Sequence, residues 1–469
     1  MPESVPTRRD ASAETEAVSR NPATGAVLAR YRHDDAEGIE RRLTEARTGY
    51  LDWRDTPVDE RAAVLARLAD ALEADIETLA ALITAEMGKT LAEARAEIRK
   101  CATTARWFAQ NGPGFLADEQ APVEGEDVRV CYRPIGTVLG IMPWNFPLWQ
   151  AMRAAVPIAL GGNSFLLKHA PNVMGSAYAL EAAWLRAGAP RGVFGVVNVG
   201  NDPIEAIIDD PRIAAVTLTG SPRAGSAVAA MAGRALKKSV LELGGSDPFI
   251  VLADADLDRA VAAAIGGRFA NCGQVCLAAK RFILEQPIAD AFTRKFVEAA
   301  RRLVVGDPTE EATTIGPIAR EDLRDTLDEQ VQKAVAGGAR VLLGGHPRQG
   351  PGWFYEPTIL AGIEPGNTAF DEETFGPVAS LVVARDADHA LSLANATEYG
   401  LSANLWTRDR ALAERLARHI EAGGVFINGF TASDPRTPVG GVKRSGYGRE
   451  LSHFGLREFL NAQVVWRRD

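Results

Sequence analysis

Between Asp59 and Lys89 the apolar residues Ala63, Leu65, Leu68, Leu72 and Ile76 recur mostly at steps of three and four, the spacing of one helix face. The pattern predicts a single long amphipathic helix, with Gly88 near its end where a C-cap is expected. A second helix is expected from Leu91 to Gln110, broken by Gly112-Pro113-Gly114. Val128 to Tyr132 reads as a short strand. Strand and helix patterns then alternate. Strand Gly136–Met142 leads to helix Pro147–Leu160, and strand Asn163–Leu167 to helix Met174–Ala187. Strand Gly195–Val199 leads to helix Asp202–Ile208, and strand Ala214–Thr217 to helix Pro222–Ala232. Such alternation predicts an α/β fold with a doubly wound parallel sheet.

A second α/β unit is expected from near Asp247. It holds helix Leu257–Phe269, strand Arg281–Leu284, helix Ala289–Leu303, helix Ile318–Ala336 and strand Val341–Leu343. Beyond Gly446 the chain ends in a strand-like tail, Asn461 to Arg467. The polar stretch Met1 to Arg20 lacks the apolar core of a secretory signal and reads as a frayed tail.

Composition narrows the class. A chain of 469 residues predicts about two or three domains. The net charge of −9 argues against non-specific binding to nucleic acid or membrane surfaces. No apolar run approaches the roughly 18 residues of a membrane span. Four cysteines (Cys101, Cys131, Cys272, Cys276) do not make a disulfide framework in so long a chain. Six scattered histidines, with no H-x-x-x-H or C-x-x-C, predict no metal site. A reduced, cytoplasmic setting is the expectation.

Three segments carry chemistry: Met142-Pro-Trp-Asn-Phe-Pro147, Leu241-Glu-Leu-Gly-Gly245 and Phe269-Ala-Asn-Cys-Gly-Gln-Val-Cys276. Each sets one reactive side chain among loop-forming Gly, Pro and Asn. The thiol of Cys276 can attack a carbonyl, the amide of Asn145 can hold the resulting oxyanion, and the carboxylate of Glu242 can activate water. An ordinary thiol, with pKa ~8.5, needs activation for that task. Cys272 is either a small space-filling neighbour or a resolving thiol for Cys276.

In order and spacing these segments resemble the signatures of the aldehyde dehydrogenase superfamily, and the likeness runs from Asn21-Pro-Ala-Thr-Gly25 to the C-terminus. The resemblance implies an aldehyde dehydrogenase-like fold: two doubly wound α/β domains and a small β oligomerisation arm. The dinucleotide-binding domain would comprise residues 1–117 and 134–246, the catalytic domain 247–445, and the arm 118–133 and 446–469. It implies a homodimer or homotetramer. It assigns Cys276 as nucleophile, with its backbone N–H as second oxyanion donor, and Glu242 as general base.

The resemblance also implies an NADP or NAD site. Thr219-Gly220-Ser221 with Gly225 matches the pyrophosphate segment, after a strand and opening a helix. Glu373 and Phe375 match the residues that hold the nicotinamide ribose and ring, Lys168 the lysine on the adenosine ribose, and Trp144 lies beside them. Family members that prefer NAD carry K-P-x-E, whereas this chain has Lys168-His-Ala-Pro171. The missing carboxylate at Pro171 removes a clash with a 2′-phosphate, which permits NADP.

Several segments resemble the short succinate-semialdehyde dehydrogenases: Trp149-Gln-Ala-Met-Arg153, Lys168-His-Ala-Pro-Asn172, Ser433-Asp-Pro-Arg436 and Gly446 to Phe454. In that group Arg153 would bind the substrate carboxylate from the pocket mouth, Trp149 would form an apolar wall and Ser433 a rim hydroxyl. Ala270 stands where some members carry a second arginine. The expected activity is NAD(P)-dependent oxidation of succinate semialdehyde. The alternatives are another small aldehyde, glutarate semialdehyde first; a CoA-acylating enzyme, disfavoured by Glu242; and a non-catalytic protein on the same scaffold.

Overall fold

The computed structural model describes residues 15–124 and 126–468. Two large sheets and two small ones organise them. The first holds six strands in the order Gly446–Tyr447, Lys238–Glu242, Ile213–Thr219, Thr137–Met142, Ser164–His169, Phe194–Val196. All pairings are parallel except that of Gly446–Tyr447 with Lys238–Glu242. The order in which the chain lays down strands reverses between Thr137–Met142 and Ile213–Thr219, though the two run parallel. Ligands of doubly wound sheets bind at the carboxyl ends of strands flanking such a reversal. The loops that leave Met142 and Thr219 are Pro143–Pro147 and Gly220-Ser221.

The second sheet has seven strands in the order Arg340–Leu343, Thr358–Ala361, Val378–Ala384, Ala279–Glu285, Asp247–Val251, Ser402–Trp406, Gly424–Ile427. It is parallel apart from its Arg340–Leu343 edge. Continuous apolar strands such as Asp247–Val251 are buried on both faces, as parallel sheets between helices require. A three-stranded antiparallel sheet joins Leu460–Arg467, Asp127–Pro134 and Glu119–Gln120. Of the segment 446–469, only Leu460–Arg467 joins that small sheet; Gly446–Tyr447 extends the six-stranded one.

Several expectations need correction. The helix expected over 59–89 is two, Val58–Ala74 and Ile76–Met87, because Asp75 leaves helical geometry at φ −100°, ψ 14°. Gly88 caps the second in the left-handed region, at φ 88°. The Gly112-Pro113-Gly114 run does not break its helix, which spans Leu91–Phe115. Pro113 falls in the last turns, where its missing N–H costs little. Gly112 lets the helix press on Leu160, whose Cδ2 would lie 2.1 Å from any Cβ there. Helix Ala36–Arg54, capped by Asp35, was not expected from the sequence. The frayed tail fails at Glu16–Arg20, which pairs with Val27–Arg32 and buries Ala17 and Ser19; the rest of that expectation lies largely outside the described residues.

Candidate active site

The carboxyl edge of the six-stranded sheet faces the amino edge of the seven-stranded one, and the three chemical segments meet there. Glu242 ends its strand, and the chain reaches Asp247 of the other sheet through Gly244-Gly245. Cys276 lies just before strand Ala279–Glu285.

The loop that leads to Cys276 is strained. Asn271 (φ 53°), Cys272 (φ 54°) and Gly273 (φ 69°) are consecutive left-handed residues. Such conformations cost of order 1–3 kcal/mol for each non-glycine and persist only where surroundings over-determine them. Here they do. Asn271 Nδ2 donates to the Asn145 carbonyl at 2.8 Å, and Asn271 N–H donates to Glu93 Oε1 at 2.6 Å. Gln274 Nε2 donates back to the Asn271 carbonyl at 3.2 Å, while Gln274 Oε1 accepts from Ala319 N–H at 2.9 Å. A Cβ on Gly273 would lie 2.3 Å from the Gly376 carbonyl oxygen, so only glycine fits. The N-x-G-Q spacing thus encodes the loop's shape.

Asn145 is buried, and its Nδ2 donates to the Gln274 carbonyl at 2.9 Å. That bond fixes the amide orientation and leaves its second N–H for a ligand. Burial pushes the Cys276 thiol up to about 11, against the opposing charges of Arg153 and Lys280. Burial also pushes the Glu242 carboxyl up to about 8, with Arg153 pulling it down and Glu450 pushing it up. Glu242 Oε1 is buried without a hydrogen-bond partner among the described residues. Cys272 is buried in the apolar core of the second unit, whereas Cys276 lines the open cavity.

Arg153, Trp149, Ser433 and Cys276 line one cavity of ≈ 210 Å³. Ala270 lines it too. Arg153 departs from expectation. It is buried rather than at a mouth, with its Nε ion-paired to Glu450 and an Nη2 donating to Thr219 Oγ1 at 3.4 Å.

The residues expected to hold a dinucleotide gather at the strand-order reversal. Gly220 N–H donates to the Glu242 carbonyl at 3.0 Å. Ser221 caps helix Pro222–Arg234, accepting from Ala224 N–H at 3.3 Å. Gly225 admits Leu243, whose Cδ2 would lie 2.5 Å from a Cβ. Glu373 accepts from Gly245 N–H at 3.1 Å, and Phe375 meets the edge of Trp144 at 5.8 Å. Lys168 is half-buried, and burial lowers its pKa. No carboxylate pairs with it among the described residues. Pro171, exposed, begins a short turn after the same strand. An ammonium with no carboxylate partner among the described residues, on the same sheet whose strand Ile213–Thr219 leads into the Ser221-capped helix, fits an anionic nucleotide.

Sequence reasoning missed four supports. Lys280 donates to the Cys276 carbonyl at 2.8 Å and pairs with Glu373 at 3.2 Å. Glu97 Oε1 accepts from Leu148 and Trp149 N–H at 2.8 and 2.9 Å, and its Oε2 pairs with fully buried Lys89 at 2.6 Å. His169 Nε2 lies 2.8 Å from the Pro147 carbonyl, and its Nδ1 lies 2.9 Å from Ala170 N–H and 3.2 Å from the Met142 carbonyl, so the ring ties the strand end to the Pro143–Pro147 loop. Burial holds His169 neutral, with its pKa down to about 4. Lys100 lines the cavity, its Nζ 2.6 Å from Ser433 Oγ. Lys280, Glu97 and Lys100 lie in no signature motif, and His169, inside Lys168-His-Ala-Pro171, touches a loop that its sequence neighbours do not mark.

Comparisons with known proteins show the family of this chain. The family model "Aldehyde dehydrogenase family" matches residues 9–465. The chain is 56% identical over 453 residues to "Succinate semialdehyde dehydrogenase [NAD(P)+] Sad" of Escherichia coli (strain K12), covering 97% of this chain and 98% of that one. It is 50% identical over 450 residues to "Succinate-semialdehyde dehydrogenase [NADP(+)]" of Mycolicibacterium paratuberculosis, covering 95% of each. The crystal structure of a succinic semialdehyde dehydrogenase from Streptococcus pyogenes in complex with NADP+ superposes with a TM-score of 0.94 at 34% identity, over 97% of this chain and all of that one.

Proposed function

This chain belongs to the aldehyde dehydrogenase family, and from that premise we propose that it oxidises succinate semialdehyde to succinate with NADP or NAD. The observation that carries the reading is the single cavity joining Cys276 to a cationic, tryptophan-walled side. Its volume lies below the roughly 300–1,000 Å³ of drug-sized sites, which suits a short acyclic substrate.

Cys276 Sγ adds to the aldehyde carbon and its proton passes to Glu242. Burial raises both groups and leaves the thiol above the carboxyl, so that transfer is uphill on its own. Oxyanion donors offset it, at about 2.7–4 kcal/mol for one well-placed group. Asn145 and the Cys276 N–H fill that role. The bound dinucleotide supplies the hydride acceptor that converts the adduct to a thioester. Glu242 passes the thiol proton on to solvent and then takes one from water as the water attacks the thioester carbonyl; collapse of the adduct releases the acid, and Glu242 returns the proton to the departing Cys276 thiolate. Arg153 pairs with Glu450, and its charge lowers the cost of ionising Glu242.

The dinucleotide is held by Gly220, Ser221, Gly225, Lys168, Glu373, Phe375 and Trp144 in a domain of residues 1–117 and 134–246, with 247–445 as the catalytic domain. Exposed Val464 and Trp466 on strand Leu460–Arg467 support a subunit contact there, in a homodimer or homotetramer. No described helix is long and apolar enough to cross a membrane, and free cysteines support a cytoplasmic setting. A panel of semialdehydes and neutral aldehydes, run with NADP and with NAD, tests the reading. A preference for neutral aldehydes would overturn the substrate, and no reduction of either cofactor would overturn the activity.

A further inference from the structure

We propose that Lys100, acting with Ser433, is the receptor for the substrate's carboxylate. The inference rests on the semialdehyde reading and names the group that enforces it.

Three lysines come near this site, and their partners separate their roles. Lys89 is ion-paired to Glu97 and Lys280 to Glu373. Lys100 pairs with no carboxylate among the described residues. Its Nζ donates to the Ser433 hydroxyl at 2.6 Å and lies 4.4 Å from the centre of the Trp149 ring. Both neighbours, like Lys100, line the cavity that holds Cys276. The ammonium is therefore gathered at the pocket by a hydroxyl and an aromatic face, with its strongest demand, an anion, left open.

Arg153 is the competing cation. Its charge is already matched by Glu450, and an Nη2 is turned to Thr219. A second carboxylate at Arg153 would have to displace or crowd Glu450. At Lys100 it would neutralise a half-buried charge instead. Such a pair is worth at least about tenfold in binding when one partner is otherwise left uncompensated.

The ionisation of Lys100 supports the same assignment. Burial lowers its pKa to about 8, with Arg153 as the next cause, and Glu97, Cys101 and Cys276 act in the opposite sense. Asp434, beside Ser433, feels the Lys100 charge as well. Supplying an anion favours the charged form, so substrate binding and protonation of Lys100 reinforce each other.

The test compares kcat/KM for succinate semialdehyde and for butanal in wild type, Lys100→Met and Lys100→Arg. The ratio of the two cancels effects common to both substrates, including titration of Glu242. Lys100→Met is expected to lower the ratio at least about tenfold. Lys100→Arg, which keeps the charge, is expected to hold it within a few fold. In wild type the ratio should fall as pH rises through about 8, where free Lys100 loses its proton, and in Lys100→Arg it should not. An unchanged ratio in a folded Lys100→Met overturns the role of Lys100 while leaving the semialdehyde reading intact. A wild-type ratio near one overturns that reading and Lys100 with it. A pH-dependent fall shared by Lys100→Arg assigns the titration to another group and also overturns the proposal.

Discussion

Asn271 and Asn145 hold each other's loops. The Asn271 side chain donates to the Asn145 carbonyl at 2.8 Å, and the Asn145 side chain donates to the carbonyl of Gln274, three residues beyond Asn271. The Asn145 loop and the loop that leads to Cys276 are thereby one unit, tied across the two sheets.

Asn271→Ala removes the bonds to the Asn145 and Gln274 carbonyls and keeps a side chain at positive φ. At about 0.5–1.5 kcal/mol per bond, the loss is about 1–3 kcal/mol. Because the strained loop must relax, kcat should fall more than tenfold with little change in cofactor Kd. Steady-state kinetics and fluorescence titration with NADP measure the two separately. A variant with normal kcat would show that the brace does not set the reacting geometry.

Glu242 must be ionised to take a proton from water. Its folded pKa, raised to about 8 by burial, predicts that deacylation quickens as pH rises through that value. Arg153 lowers this pKa, so Arg153→Met should move the ascending limb to higher pH. It should slow succinate semialdehyde and butanal alike, since the arginine acts on the base. A limb that stays put in Arg153→Met would disconnect the arginine from Glu242.

The buried Lys89–Glu97 pair supports the first turn of helix Trp149–Leu160. Glu97→Ala leaves an ammonium and two N–H groups buried without partners, a loss of about 3–5 kcal/mol. Lys89→Met combined with Glu97→Gln should recover part of it, because no charge is then stranded. Urea unfolding of the three proteins checks the order of stability, and equal losses would contradict the argument.

The adenosine end is tested by Pro171→Glu. A carboxylate near Lys168 repels a 2′-phosphate but accepts a hydrogen bond from a free 2′-hydroxyl. The ratio of kcat/KM for NADP over NAD should fall. If it does not move, Pro171 lies away from the ribose.

What the sequence made legible follows from range. Helix Leu257–Phe269 was placed at its observed bounds, because its pattern and its caps are local. Cys276, Asn145 and Glu242 stood in motifs that encode a loop shape, so resemblance could place them. The ion pair of Lys89 with Glu97 and the bond from Lys100 to Ser433 join residues that local pattern cannot connect; the second spans 333 positions. Arg153 was found but not its partner, Glu450, which lies nearly three hundred residues on. The break at Asp75 was hidden because apolar periodicity continues across it.

The central claim is a covalent acyl intermediate on Cys276 that Glu242 resolves. The direct measurement is peptide mass spectrometry of Glu242→Gln after mixing with succinate semialdehyde and NADP, with the reduced cofactor counted in the same sample. The account predicts about one reduced cofactor per subunit and one succinyl group on the peptide, located at Cys276 rather than Cys272. Sustained turnover without an adduct, or an adduct on any other residue, would contradict it.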